Sequence, residues 1–173
     1  MFDWKVITLC AITFLFALLI GTFVEYIVHR LMHAGKLFYK IHAQHHQANQ
    51  GQGWLWEFRD YYLPSLPISI VGFIVFWMLW GLYPGASFFV GCFLYAALAA
   101  YAHQIQHERP ELCFWMARPV HYLHHNGKMW HHNFGILVDF WDRIFGTYKR
   151  VDPPEHAQRK RGPLTAYFKI KWF

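Results

Sequence analysis

The chain has 173 residues, of which 55% are hydrophobic, 21% are aromatic and only 15% are charged. Soluble domains usually carry about 25% charged residues, so this composition argues against a soluble domain and indicates a membrane protein. The net charge is +6, but the basic residues do not form a stripe on a soluble module, so the charge does not indicate nucleic-acid binding. We expect one domain covering residues 1–173.

The first predicted element is a membrane helix. Residues 6–24 are almost wholly apolar and uncharged, and the stretch can be extended to Val28. That length is sufficient to cross a bilayer core of about 30 Å. The apolar run exceeds the 7–15 residues typical of a cleaved signal peptide, and it leads directly into histidines. We therefore expect a retained helix.

The second predicted element is a helical hairpin. Residues 61–102 contain no charged side chain, and residues 81–85 interrupt them with two glycines and a proline. Proline and glycine commonly mark such turns, so we expect spans at residues 63–80 and 86–102. The sequence thus predicts an all-α integral membrane protein. We expect three transmembrane helices, or four if the first apolar stretch folds back on itself.

Two further segments have an interfacial character. Residues 54–62 are rich in tryptophan and tyrosine, which collect at the headgroup level of membranes. We expect this segment to lie at the interface before the second span. Apolar side chains at 140, 141, 144, 145 and 148 follow helical spacing and predict a short interfacial helix.

Ten of the thirteen histidines lie in four short clusters with spacings of three or four residues. Such spacings place side chains on one face of a helix, so each cluster can direct several imidazoles to one point. Ten donors are too many for one ion and are suitable for two, and the spacing alone does not choose among iron, copper, zinc and nickel. The ten are His29, His33, His42, His45, His46, His103, His107, His121, His124 and His125.

Three spans would bring all four clusters to the same side of the membrane. Of the sixteen lysines and arginines, only Lys5 precedes the first span, and the other fifteen lie on the histidine side. Positive residues favour the cytoplasmic face, so we expect a histidine-rich, cytoplasmic di-metal cap. The small size favours a bacterial inner membrane over the endoplasmic reticulum. Metals at the ends of membrane helices would be within reach of a long apolar substrate.

The four clusters, in this order and with a membrane hairpin between the second and third, resemble the fatty acid hydroxylase / sterol desaturase superfamily of membrane di-iron enzymes. The resemblance extends to Asn133-Phe134-Gly135 and to the segment from Phe140 to Thr147. It implies that the ten histidines bind two iron ions and that dioxygen is the cosubstrate. It also implies hydroxylation or desaturation of a membrane lipid such as a fatty acyl chain or sterol. Electrons would come from a separate protein, a ferredoxin or a b-type cytochrome.

Two alternatives remain open. Carotenoid ring hydroxylases share the same four-cluster architecture, so a carotenoid is a second candidate substrate. A metal transporter or metal sensor is a candidate from another class. Transporters place ionisable groups along the ion path within the spans. The second and third predicted spans carry no charged residue, which disfavours a transporter.

Six further residues lie near the four clusters in the sequence or follow them. Glu25 lies one helical turn before His29, where it would accept a hydrogen bond from a ligand imidazole or remain a solvated charge. Asn133 is either a turn residue or an amide near the metals. Asp142 and Arg143 are expected to form an interfacial ion pair. His131 and His132 lie beyond the four clusters and are left out of the predicted ligand set.

Overall fold

A computed structural model describes residues 3–173 and has no β-strand in that range, so the all-helical prediction is confirmed. Within these residues, three short 3-10 helices occur at Pro110–Leu112, Glu155–Ala157 and Leu164–Phe168. The α-helices are α1 (Trp4–His33), α2 (Tyr39–Ala48), α3 (Trp54–Trp80), α4 (Leu82–Glu108), α5 (Val120–Asn126) and α6 (Phe140–Ile144).

Three of these helices, α1, α3 and α4, are long and apolar enough to cross a membrane. Helix α1 has 30 residues in one unbroken run. At a rise of 1.5 Å per residue it is about 45 Å long, well beyond the bilayer core of about 30 Å. The first apolar stretch therefore does not fold back, and the last turns of α1 extend past the apolar layer with His29 and His33.

The hairpin is tighter than predicted. Helix α3 begins at Trp54, so the aromatic segment forms its first turns instead of preceding it. Pro64 and Pro67 lie inside α3, which membrane helices tolerate when neighbouring groups satisfy the freed carbonyls. Only Gly81, at φ 95°, separates α3 from α4. Pro84 belongs to the first turn of α4, where an amide hydrogen has no helical partner, and so it does not break the chain.

Helix α4 lies between the other two spans and packs against both. Gly91 permits a close approach to α1, because a Cβ atom at this position would lie 2.7 Å from the Cβ of Ala17. Small residues at helix crossings allow membrane helices to pack closely. Since α1 and α3 both use α4 as their main support, a space remains between them.

The carboxyl-terminal segment completes the amino end of α3. The amide hydrogens of Trp54 and Leu55 donate to the carbonyls of Lys171 and Trp172, at 2.9 and 3.0 Å. Helix starts leave such amides without helical partners, so these bonds cap the helix. Glu108, the last residue of α4, accepts the amide hydrogen of Lys171. One strip of backbone thereby joins the histidine-side ends of α3 and α4.

Candidate metal centre and substrate cavity

Five of the ten histidines form a first cluster, with ring nitrogens mutually within 4.8 Å. Helix α1 supplies His29 and His33 one turn apart, α2 supplies His42 and His46, and α5 supplies His124. The Nε2 atom of His33 lies 2.8 Å from that of His42 and 2.9 Å from that of His124. The Nε2 atoms of His42 and His46 are 3.1 Å apart.

Four of the others, His45, His107, His121 and His125, form a second cluster with ring nitrogens mutually within 4.8 Å, and His103 adjoins it through His45 of α2. The Nε2 atom of His45 lies 3.1 Å from that of His103 and 3.2 Å from that of His107, both on α4. Helix α5 adds His121 and His125, and the Nε2 atoms of His107 and His121 are 3.2 Å apart. The structure thus brings together all ten histidines singled out from the sequence.

Helix α2 explains why two clusters lie side by side. His42 and His46 are one turn apart and point to the first cluster, whereas His45 points to the second. At the boundary, the rings of His46 and His125 stack with centroids 3.9 Å apart. The pattern of a histidine followed three residues later by a histidine pair therefore supplies both clusters from a single short helix.

The donor set fits metal ions. A metal–imidazole bond is about 2.0–2.1 Å long, so adjacent ligands of one ion are roughly 3.0 Å apart. The shortest nitrogen–nitrogen distances within each cluster, 2.8–3.2 Å, match that spacing. Neutral imidazoles cannot satisfy so many facing lone pairs with their own protons, since each carries one. Both ring nitrogens of buried His125 have no hydrogen-bond partner at all.

Hydrogen bonds at the far ring nitrogens orient several of these imidazoles. The Nδ1–H of His29 donates to the carbonyl of Phe134 at 2.6 Å, and that of His124 donates to the carbonyl of His132 at 2.7 Å. A carbonyl only accepts, so each bond fixes the tautomer that leaves Nε2 free as a ligand. His132 contributes through its backbone, and the His131 side chain is exposed. Neither side chain joins the clusters.

Glu57 was missed by the sequence analysis. Its Oε1 atom lies 3.1 Å from Nδ1 of His103, and both side chains are buried. Glu57 therefore places a negative charge beside the ring nitrogen of His103 that faces away from His45. The available signal was a lone carboxylate at the start of an apolar helix, but charges at membrane edges are common and did not single it out.

The histidines outside the spanning helices are held neutral. Burial, with help from neighbouring imidazoles, lowers the pKa of His42 to about 2, of His45 to about 3 and of His46 to about 4. Burial also lowers the pKa of His124 to about 3. A metal ligand must be unprotonated, so these side chains need lose no proton near neutral pH to bind a cation.

The prediction that Glu25 bonds to a ligand imidazole is wrong, and so is the alternative of a solvated charge. Its carboxylate is buried, accepts the hydroxyl of Tyr95 at 2.5 Å and accepts the backbone amide hydrogens of Ile136 and Leu137 at 2.9 and 3.4 Å. Glu25 therefore ties α1 to α4 and to the loop that follows the last histidine cluster. Through that loop it supports Phe134, the partner of His29.

The predicted ion pair of Asp142 with Arg143 is also wrong, because adjacent residues on a helix point in different directions. Arg143 pairs with Asp139, and Asp142 is buried beneath the loop. It accepts the amide hydrogens of Phe134 and Gly135 at 2.9 and 2.7 Å. Burial raises the pKa of Asp142, although these bonds oppose the shift.

Asn133 is a turn residue, which was one of its two predicted roles. Its φ is 60°, and its amide side chain exchanges hydrogen bonds with the backbone of Lys149. Gln106, fully buried, was not anticipated. It donates to the carbonyl of Ile136 at 2.7 Å and accepts the amide hydrogen of His121 at 3.0 Å. It thereby aligns the third and fourth histidine clusters with the same loop.

A cavity of about 880 Å³ opens beside the clusters, in the space between α1 and α3. Its deeper wall is apolar and includes Ile20, Val24, Ile68 and Cys92. At the other end it is lined by His29, His42, His45, His103 and His121. An apolar molecule lying among the spans would therefore present part of its chain to both clusters.

This arrangement defines an integral membrane protein with a histidine-rich candidate metal site facing an apolar cavity. Residues 14–147 match the family described as fatty acid hydroxylase, so the chain belongs to the fatty acid hydroxylase family. The predicted family is thereby confirmed.

The chain is also similar to two curated rice proteins. It is 30% identical over 162 residues to the very-long-chain aldehyde decarbonylase GL1-9 of Oryza sativa subsp. indica and equally to that of subsp. japonica. The matched region is 90% of this chain, and this chain spans about 60% of the length of these relatives. No solved structure is significantly similar to it.

Proposed function

We propose that the protein is a di-iron membrane oxidoreductase that hydroxylates or desaturates a lipid with dioxygen. The observation that carries the proposal is the apolar cavity of about 880 Å³ that begins between the spans and ends on five of the ten histidines. A fatty acyl chain or a sterol suits such a lining. The active site is proposed to face the cytoplasm of a bacterial inner membrane, with residues 1–173 acting as one domain.

Each cluster is proposed to hold one iron ion. His29, His33, His42, His46 and His124 would hold the first, and His45, His103, His107, His121 and His125 the second. Iron supplies the oxidising power for breaking an unactivated C–H bond, which no protein side chain has. In hydroxylation, one oxygen atom of dioxygen enters the lipid and the other leaves as water. This uses two protons and two electrons from a separate carrier, a ferredoxin or a b-type cytochrome.

The chain's own residues orient the substrate. Ile20, Val24 and Ile68 bind the apolar part and exclude water from the histidine end. Arg59 and Asp60, exposed and paired at 2.8 Å, also line the cavity. Because they lie on the first turns of α3, they are placed to contact a polar head at the interface. Glu57 and Phe134 hold His103 and His29 in position.

A second candidate reaction is favoured by the rice relatives, whose name describes action on very-long-chain aldehydes. In that case the same cavity would place an aldehyde carbon beside the histidines. A carotenoid ring is a further possible substrate of the same architecture. The rival hypothesis of metal transport or sensing is weakened by family membership and by the position of the histidines at the helix ends, away from any path through the spans.

Comparative lipid mass spectrometry of cells with and without the protein tests the proposal. We expect a product heavier by one oxygen atom or lighter by two hydrogen atoms, and loss of the carbonyl carbon from a long-chain aldehyde would indicate the second candidate. The purified protein should contain about two iron ions per chain. The variants His45→Ala and His124→Ala, one in each cluster, should each lose the product.

His156→Ala is the matched control. His156 is exposed, bonds to Tyr122 and lies outside both clusters, so this variant should keep its iron and its product. Unchanged lipids in all strains, or full activity in the doubly substituted His45→Ala/His124→Ala protein, would refute the proposal. Metal flux into liposomes without any oxygen-dependent product would favour the transporter.

A further inference from the structure

The two sides of the histidine site differ. The cavity reaches His29 and His42 of the first cluster but not His33, His46 or His124. Those three face away from the substrate side. Trp130 covers two of them, His33 and His46, from the outside.

Trp130 connects the first cluster with the protein surface. Its ring centroid lies 4.3 Å from that of His33 and 5.3 Å from that of His46, and its Nε1–H donates to the His33 carbonyl at 3.2 Å. Trp130 is half-buried, and Tyr39 beside it, at 6.4 Å between ring centroids, is 45% exposed. An aromatic path therefore runs from the protein surface to two cluster imidazoles without entering the cavity.

The two chain segments that carry Tyr39 and Trp130 are basic. The segments 26–56 and 112–138, which carry Tyr39 and Trp130, contain no aspartate or glutamate. They contain five lysines and arginines, of which only Arg118 has an ion-pair partner among the described residues, Asp152. Lys36, Lys40 and Lys128 are exposed. Lysines without an ion-pair partner attract an acidic protein and repel a basic one.

We infer that Trp130, Tyr39, Lys40 and Lys128, here called the donor face, form the docking surface for a one-electron carrier protein with an acidic face around its redox centre. Trp130 is the positioning residue through which the electron enters. The inference rests on the proposed function, which requires an external reductant. Each docked carrier is oxidised by one electron, and that electron reduces the metal site. Electron transfer slows steeply with distance. A ring in contact with two cluster imidazoles shortens the distance that the electron must cross between the docked carrier and the metal site.

A binding experiment tests the docking surface. A plant-type [2Fe–2S] ferredoxin and the soluble haem domain of a b-type cytochrome serve as probes against the full-length protein in detergent micelles. For the better-binding probe, the double variant Lys40→Glu/Lys128→Glu should lower the association rate by about tenfold at low ionic strength. The difference should shrink as salt is added.

Lys160→Glu/Lys169→Glu is the matched control with the same change in charge. Both lysines are exposed on the carboxyl-terminal segment, which packs beside α4 and Pro110–Leu112 instead of Trp130. It should retain more of the association rate than the donor-face variant. Equal losses in the two double variants, or no saturable binding of either probe, would overturn the docking surface.

A reduction experiment tests Trp130. Trp130→Leu should bind the probe normally but accept its electrons several-fold more slowly, with metal content unchanged. Trp130→Phe, which keeps an aromatic ring, should restore part of the rate. Reduction by dithionite, which needs no docking, should be the same in all three proteins. If Trp130→Leu slows dithionite and the carrier equally, its role is structural and the inference fails.

The two experiments also separate this inference from the proposed function. A protein that binds and accepts electrons as expected but yields no lipid product would contradict the function and leave the donor face intact. If the protein makes the lipid product but neither Lys40→Glu/Lys128→Glu nor Trp130→Leu changes carrier binding or reduction, the proposed function stands and the donor face is refuted.

Discussion

Glu57 influences the candidate metal site although it is not among the proposed ligands. Replacing it with glutamine keeps the size of the side chain but removes the negative charge 3.1 Å from His103 Nδ1. We expect Glu57→Gln to weaken metal binding by about 10- to 100-fold, as loss of such supporting carboxylates does elsewhere. Competitive metal titration against a chelator measures this.

Asp60→Asn is the control, because Asp60 lies one turn further along α3 in an exposed pair with Arg59. Its metal affinity should be unchanged. Equal affinities in Glu57→Gln and the wild type would show that the carboxylate does not support the ligand set.

The ten clustered histidines could be identified from the sequence because helical spacing puts each group on one face. The partners of Glu25 and Asp142 could not. Glu25 bonds to amides more than a hundred residues away, and Asp142 bonds to a loop without periodicity. A buried carboxylate is recognised only once its donors are located in space, so both residues were assigned the wrong contacts.

At the scale of helices, the contact between α1 and α4 depends on the absence of a side chain at Gly91. A larger residue there would meet the Cβ of Ala17 and the backbone oxygen of Phe14. Backbone cannot move aside as a flexible side chain can, so we expect Gly91→Leu to lower the free energy of unfolding by about 1–3 kcal/mol. Thermal unfolding in detergent measures the change.

Val90→Leu adds bulk next to this site but on the outer face of α4, where Val90 is 55% exposed. It should unfold at the wild-type temperature. If Gly91→Leu is as stable as Val90→Leu, the two helices do not meet closely at Gly91.

The presence of three membrane helices could be predicted from apolar length, but their boundaries could not. Helix α3 starts nine residues earlier than predicted, since its amino end is polar and aromatic and resembles an interfacial segment. The turn before α4 consists of Gly81 alone, because Pro84 fits a first helical turn. The prediction of a five-residue break gave too much weight to Pro84, because a proline interrupts a helix in its interior but not in its first turn.

For the whole molecule, the cavity should select substrates by length. Ile68 lines it within α3, among the spans. Ile68→Trp would fill part of the 880 Å³ and should shift products toward shorter or smaller lipids while the metal content stays constant. Mass spectrometry of the products shows the shift.

Leu79→Trp is the control for Ile68→Trp. Leu79 lies on α3 outside the cavity lining and is 63% exposed, so the added ring would face lipid. An unchanged product profile in both variants would mean that this cavity is not the substrate site.

The proposed orientation in the membrane is also testable. In a protein whose native cysteines are replaced by serine, we introduce Tyr83→Cys in the α3–α4 turn and Lys160→Cys near the carboxyl end. Because fifteen of sixteen basic residues lie on the histidine side, that side should be cytoplasmic. In right-side-out vesicles, an impermeant maleimide should label Tyr83→Cys but not Lys160→Cys. The reverse pattern would place the site on the outer face.

The bonds from Trp54 and Leu55 to residues 171 and 172 have a consequence for biosynthesis. The ribosome makes the amino end of α3 more than a hundred residues before the carbonyls that cap it. Until those carbonyls emerge, the first turn of α3, which carries Glu57, lacks the bonds that its leading amides make in the folded protein. The support of His103 is thus completed only after all three spans have been synthesised, and metal loading is expected to follow membrane insertion.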